Sequence, residues 1–127
     1  MKNFLLTILL ISLPVSVQAA RQFNEAYYQE KWCADKGITE YQLEDYTRVD
    51  CLTETHAIEF DFAKKWAESI GQSLHYSRMT NKTPGIVLII EKPKDFVYYE
   101  RIKPLCEKFG ITLWYVEGME YNLKKEG

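Results

Sequence analysis

The sequence is poor in several things that would have pointed to a function. It has no CxxC pair, no internal repeat, no low-complexity tract, no excess of positive charge and no long apolar run after its N-terminus. Without a CxxC, thioredoxin-like redox chemistry has no reactive pair to work with. The 2 histidines, His56 and His75, are isolated from any second ligand at metal spacing, which favours surface histidines over a zinc centre. The balance of 16 Lys+Arg against 18 Asp+Glu argues against a nonspecific nucleic-acid binder, whose affinity comes from neutralising phosphates. Any nucleic-acid role must therefore rest on a local site.

The one long apolar run lies at the start. MKNFLLTILLISLPVSVQA carries Lys2, an uncharged stretch from Phe4 broken by Pro14, and small residues at Val17 and Ala19, which is the pattern of a secretory signal peptide. It is short for a bilayer span and is followed by polar sequence. Cleavage after Ala19 leaves 108 of the 127 residues, with 15 basic and 18 acidic side chains and a net charge of −3. The expectation is a periplasmic or secreted protein with no transmembrane segment after cleavage, residues 20–127 forming one domain and 117–127 a loosely held tail. In an oxidising compartment two of Cys33, Cys51 and Cys106 can pair, and Cys33 with Cys51 is the preferred bridge, leaving Cys106 as a buried thiol.

Within that domain, residues 22–36 place Phe23, Ala26, Tyr27, Glu30 and Cys33 at helical steps, and Gly37 stops the helix. Three strands follow: ITEYQL, YTRVDCLT after a turn at Glu44-Asp45, and HAIEFDF. In the third, alternation puts Ala57, Glu59 and Asp61 on one face and Ile58, Phe60 and Phe62 on the other. From Phe62 the period becomes helical, with Ala63, Trp66, Ala67, Ile70 and Leu74 as the apolar stripe and Lys65, Glu68, Gln72 and Tyr76 on another face. GIVLIIE reads as a central, doubly covered strand. KPKDFVYYERIKPLCEKFG reads as a helix that Pro104 must kink or divide, and ITLWYV as the last strand. The expected class is α/β, a mixed β-sheet with order α-β-β-β-α-β-α-β and helices on both faces.

That order, with Asp50 on the second strand and Glu59 on the third running straight into a helix, resembles the PD-(D/E)XK superfamily of restriction-endonuclease-like nucleases. The similarity spans roughly residues 22–116 as topology. It implies that Asp50 and Glu59 hold divalent metal, Mg2+ or Mn2+, against a scissile phosphodiester. Asp61 stands where the superfamily has its lysine, and Val49 where the motif has proline. On this resemblance Asp61 becomes a third ligand in an all-oxygen site, and Lys64 or Lys65 supplies the ammonium from the next helix. Gln72 and Tyr76 match a Gln and a Tyr carried by some members on the same helix.

Each of these residues also has an ordinary reading. Asp61 precedes a helix and could cap it through the Lys64 amide, worth about 1 kcal/mol. Lys64 and Lys65 suit a solvated helix face, and Arg48 could pair with Asp50. The aromatic residues could stack bases, but Trp66, Tyr98 and Trp114 fall at core positions. Two functions follow. One is an exported metal-dependent nuclease with Asp50, Glu59, Asp61, Lys65 and Gln72 at its site. The other is a catalytically inactive periplasmic binding or protein-interaction module on the same fold.

Overall fold

A computed structural model describes residues 23–118. The signal segment 1–19 and the tail residues 119–127 lie outside the described residues; the first two tail positions do not, since Glu117 ends a strand and the Gly118 amide donates to the Ile90 carbonyl (2.7 Å).

Helix α1 (Glu25–Cys33) starts at Asn24, whose side chain accepts from the Tyr27 amide at 3.1 Å. It buries Tyr28, Gln29 and Cys33 and leaves Ala26, Tyr27 and Glu30 exposed, so of the stripe expected Cys33 lies inside and Phe23 packs against the core, while the middle of the helix turns Tyr28 and Gln29 inward instead. Strands β1 (Gly37–Gln42), β2 (Arg48–Thr53) and β3 (His56–Phe62) form an antiparallel meander. The β1–β2 turn is held by the Asp45 carboxylate, which accepts from the Thr47 amide and hydroxyl. His75 reaches the same carboxylate at 2.7 Å, so this histidine is an anchor between the turn and a helix. His56 is likewise engaged, between the hydroxyls of Thr55 and Thr112.

Strands β4 (Thr83–Ile90) and β5 (Thr112–Glu117) add in parallel to give one sheet in the order β1-β2-β3-β4-β5. The connections are α2 (Trp66–Thr80) and α3 (Phe96–Phe109), each preceded by one 3-10 turn, Ala63–Lys65 and Pro93–Asp95. The observed order differs from the expected one in these two added turns. The fold is thus α/β on a five-stranded mixed sheet. In β4, Val87 and Ile89 pack towards α1, while Ile86, Leu88 and Ile90 pack towards α3 residues Ile102 and Cys106. Burial on both faces is why this strand is apolar throughout.

Two expectations about the helices need correction. In α2 the buried residues are Ser69, Ser73 and Tyr76, whereas Ala67 and Leu74 are exposed. Buried serines are tolerated because each hydroxyl donates to its own helix: Ser69 to the Trp66 carbonyl (2.6 Å), Ser73 to the Ile70 carbonyl (3.0 Å). In α3, Pro104 does not divide the element: it sits exposed within one helix running from Phe96 to Phe109. The helix closes at Gly110, whose φ of +67° is the left-handed C-cap, and the Ile111 amide donates to the Cys106 carbonyl (2.9 Å).

Cys33 and Cys51 form a disulfide with Cα atoms 6.0 Å apart, pinning the end of α1 to β2. Cys106 is free and buried, and burial pushes its thiol up to about 11. Among the described residues no helix is long and apolar enough to cross a membrane.

Candidate functional site

The site begins with a break in the sheet. β2 and β3 pair at Leu52↔Ala57 and Cys51↔Ile58, and the same register would next oppose Asp50 to Glu59. There the ladder stops, and the Asp50 carboxylate itself accepts from the Phe60 amide at 2.8 Å. On the other side of β2, Thr39 pairs with Cys51 and Tyr41 with Val49, and between them Glu40 has a φ of +52°. A non-glycine residue in that region is strained by about 1 kcal/mol. The strain lies directly beside Asp50, at the point where the strand changes from its regular pleat.

Three carboxylates meet at this seam. One oxygen each from Glu25, Asp50 and Glu59 lies within 4.8 Å of the others. Asp50 and Glu59 are 8% and 4% exposed, and among the described residues the second Glu59 oxygen, Oε2, has no hydrogen-bond partner. An ionised carboxylate oxygen in that state is strongly disfavoured. Burial accordingly raises the Glu59 carboxyl far above the usual range, and the neighbouring Asp50, Asp61 and Glu25 charges raise it further. Burial also raises Asp50, opposed by the Phe60 amide and by a hydrogen bond in which neutral Glu59 donates and Asp50 accepts. The pair holds protons that isolated carboxylates would have lost.

The remaining expected residues surround this cluster unevenly. Asp61 is 4% exposed and lies outside the group of three. Burial and the Glu25 charge push its carboxyl up to about 7, and Lys65 opposes them. It is not a helix cap: the 3-10 turn is capped at Phe62 with no side-chain bond, because β3 continues through Phe62 before the chain turns. Lys65 itself is exposed at the mouth. Gln72 is exposed and hydrogen-bonds Tyr76, whose buried phenol is pushed up to about 12 by burial and by the Glu59 and Asp50 charges. Gln72 is therefore engaged with Tyr76 and lies outside the group of three carboxylates. Arg48 is exposed and leaves Asp50 to the Phe60 amide.

Glu25 is the member that sequence reading missed. An acidic residue straight after an Asn cap is the ordinary complement to a helix dipole, so Asn24-Glu25 carried no distinct signal. Its carboxylate also accepts from the Gln29 amide at 3.4 Å. Three hard oxygen donors, one an orphan, fit Mg2+ or Mn2+ far better than a softer ion. No known protein family, curated protein or solved structure matches this chain.

Proposed function

We propose that the chain is an exported, divalent-metal-dependent phosphodiester hydrolase of the PD-(D/E)XK type, with Glu25, Asp50 and Glu59 as the carboxylates that would hold Mg2+ or Mn2+. The observation that carries this reading is the buried Glu59 Oε2, which has no partner inside a cluster of three carboxylates. Held by Glu25, Asp50 and Glu59, such an ion would supply Lewis acidity towards a phosphodiester and its attacking water. Asp61, ionising near neutral pH beside the cluster, is suited to accept a proton from an attacking water. Lys65 contributes positive charge at the mouth, which a carboxylate at position 61 cannot.

The charge distribution supports a polyanionic substrate despite the acidic total. Residues 23–63 carry ten acidic and three basic side chains, whereas residues 64–108 carry nine basic and five acidic. Lys64 and Lys65 follow β3 and Lys92 and Lys94 follow β4. These parallel strands end side by side, Phe62 opposite Ile89, so the four lysines share one end of the sheet. Arg101 lies 5.6 Å over the Trp66 ring at the start of α2. The proposed setting, periplasmic or secreted, is supported by the disulfide and the signal-like N-terminus.

Titrating the purified protein with Mn2+ by calorimetry in phosphate-free buffer tests the reading. Saturable binding is expected, and Glu59→Gln should weaken it, together with metal-dependent cleavage of an oligonucleotide, by at least about 100-fold. Equal binding by wild type and variant, or none by either at millimolar Mn2+, would instead favour the inactive binding module.

A further inference from the structure

Beside α1 the surface carries a groove of about 490 Å³, walled on its far side by Val116 and Glu117 at the end of β5. Its near wall is built from two rows of side chains at steps of four. Phe23, Tyr27 and Lys31 form one row; Tyr28, Trp32 and Lys36 form the other. Each row is aromatic for two positions and ends in a lysine. Residues four apart on a helix are surface neighbours, so the rings make a continuous shelf with both ammonium groups at one end.

The shelf is firm underneath and open above. Trp32 backs onto Trp114 and Phe60, with centroids 5.3 and 5.6 Å away, and Tyr28 meets Phe62 edge-on. Phe23 and Tyr27 stack at 4.1 Å with their planes 19° apart, yet Tyr27 remains 38% exposed. Lys31 Nζ lies 5.9 Å from the Tyr27 ring and Lys36 Nζ 4.7 Å from the Trp32 ring. Lys36 also donates to the Trp32 carbonyl and pairs with the exposed Asp35 carboxylate, while Lys31 lies over the Tyr27 ring.

We propose that this groove is a second ligand site, taking the unpaired bases of a single-stranded nucleic acid whose phosphates lie along Lys31 and Lys36. Flat rings give bases a face to stack on whatever their sequence, with Tyr27 exposed and Phe23 and Trp32 half-buried beside it, and the lysines neutralise the backbone. A duplex keeps its bases inside its own stack and offers the shelf nothing. The choice of ligand rests on the phosphodiester reading, but binding at the shelf needs neither metal nor turnover.

The test is fluorescence anisotropy of a labelled oligo-dT with the purified protein in EDTA at low salt. Binding is expected for wild type. Tyr27→Ala should weaken it about tenfold with no change in melting temperature, since the ring is exposed. Lys31→Glu should weaken it and flatten its salt dependence. The proposal falls if oligo-dT does not bind, if Tyr27→Ala has no effect, or if an abasic strand or a duplex binds as well as oligo-dT. It also falls, in favour of a protein partner, if a Tyr-rich peptide occupies the groove and oligo-dT does not. Oligo-dT binding without Mn2+ binding would leave the groove standing and remove the metal centre; Mn2+ binding without oligo-dT binding would do the reverse.

Discussion

Replacing Cys33 and Cys51 together by alanine is expected to lower the melting temperature by about 10–20 °C and to weaken Mn2+ binding. The bridge joins residues 18 apart in sequence. Closing a loop of that size restricts the unfolded chain by about 3 kcal/mol, and each kcal/mol moves the midpoint of a domain this small by about 4–8 °C. The loss of metal affinity has a separate origin. Cys51 adjoins Asp50 on β2 and Cys33 ends the helix whose first residue is Glu25, so one covalent bond ties together the elements that supply two of the three carboxylates. Melts followed by circular dichroism, with calorimetry at a temperature where the variant is folded, separate the effects. Glu25→Gln should reproduce the loss of Mn2+ affinity while keeping most of the stability. If Mn2+ affinity survives both changes, α1 does not contribute to the site.

The metal-free protein should become less stable as the pH rises from about 5 to 8, by about 10 °C in melting temperature, and Mn2+ should bind about tenfold more tightly per pH unit over the same range. The sign follows from the direction of the shifts. Asp61 moves up from 3.8 to about 7, and Asp50 and Glu59 also move up, all chiefly through burial. A carboxyl raised in the folded state contributes its full stability below its unfolded pKa of about 4 and loses it as the pH climbs through the folded value. Ligation requires the deprotonated form, so metal binding releases protons and strengthens with pH. Excess Mn2+ at pH 8 should accordingly restore the melting temperature lost on leaving pH 5. A midpoint that stays flat or rises with pH in EDTA would mean these carboxylates are already ionised at neutral pH.

Much of the scaffold was legible because β-strand alternation is rigid in its demands. HAIEFDF put Glu59 and Asp61 opposite Ile58, Phe60 and Phe62, and those three do pack in the core beneath α1. The Cys33–Cys51 pairing was legible for the same reason, since Cys51 had to face away from Asp50. Helix faces were harder. Apolarity favoured Ala67 and Leu74 in α2, but Ser69 and Ser73 lie inside because they satisfy their hydroxyls locally and leave room for close packing. The Asp61 side chain looked like a cap because strand end and helix start are adjacent in sequence, and the extra turn at Ala63–Lys65 separates them in space. Glu25 was invisible because the cluster unites residues 34 positions apart, through a tertiary contact that no local pattern encodes.

The interrupted ladder between β2 and β3 gives the molecule a mechanical weak line. On one side lies a two-stranded flap, β1 and β2; on the other, a three-stranded slab in which β3, β4 and β5 are knitted over six or seven residue pairs. Between β2 and β3 the ladder holds two residue pairs, and past these the Asp50 side chain stands in for a third, while the Cys33–Cys51 bridge, the Asp45–His75 contact and Lys82, which donates to the Thr53 carbonyl, also tie the flap to the rest. The carboxylates converge at the open end of that crack. On the proposed reading, a cation held by Asp50 and Glu59 would bridge the two strands where their ladder is interrupted.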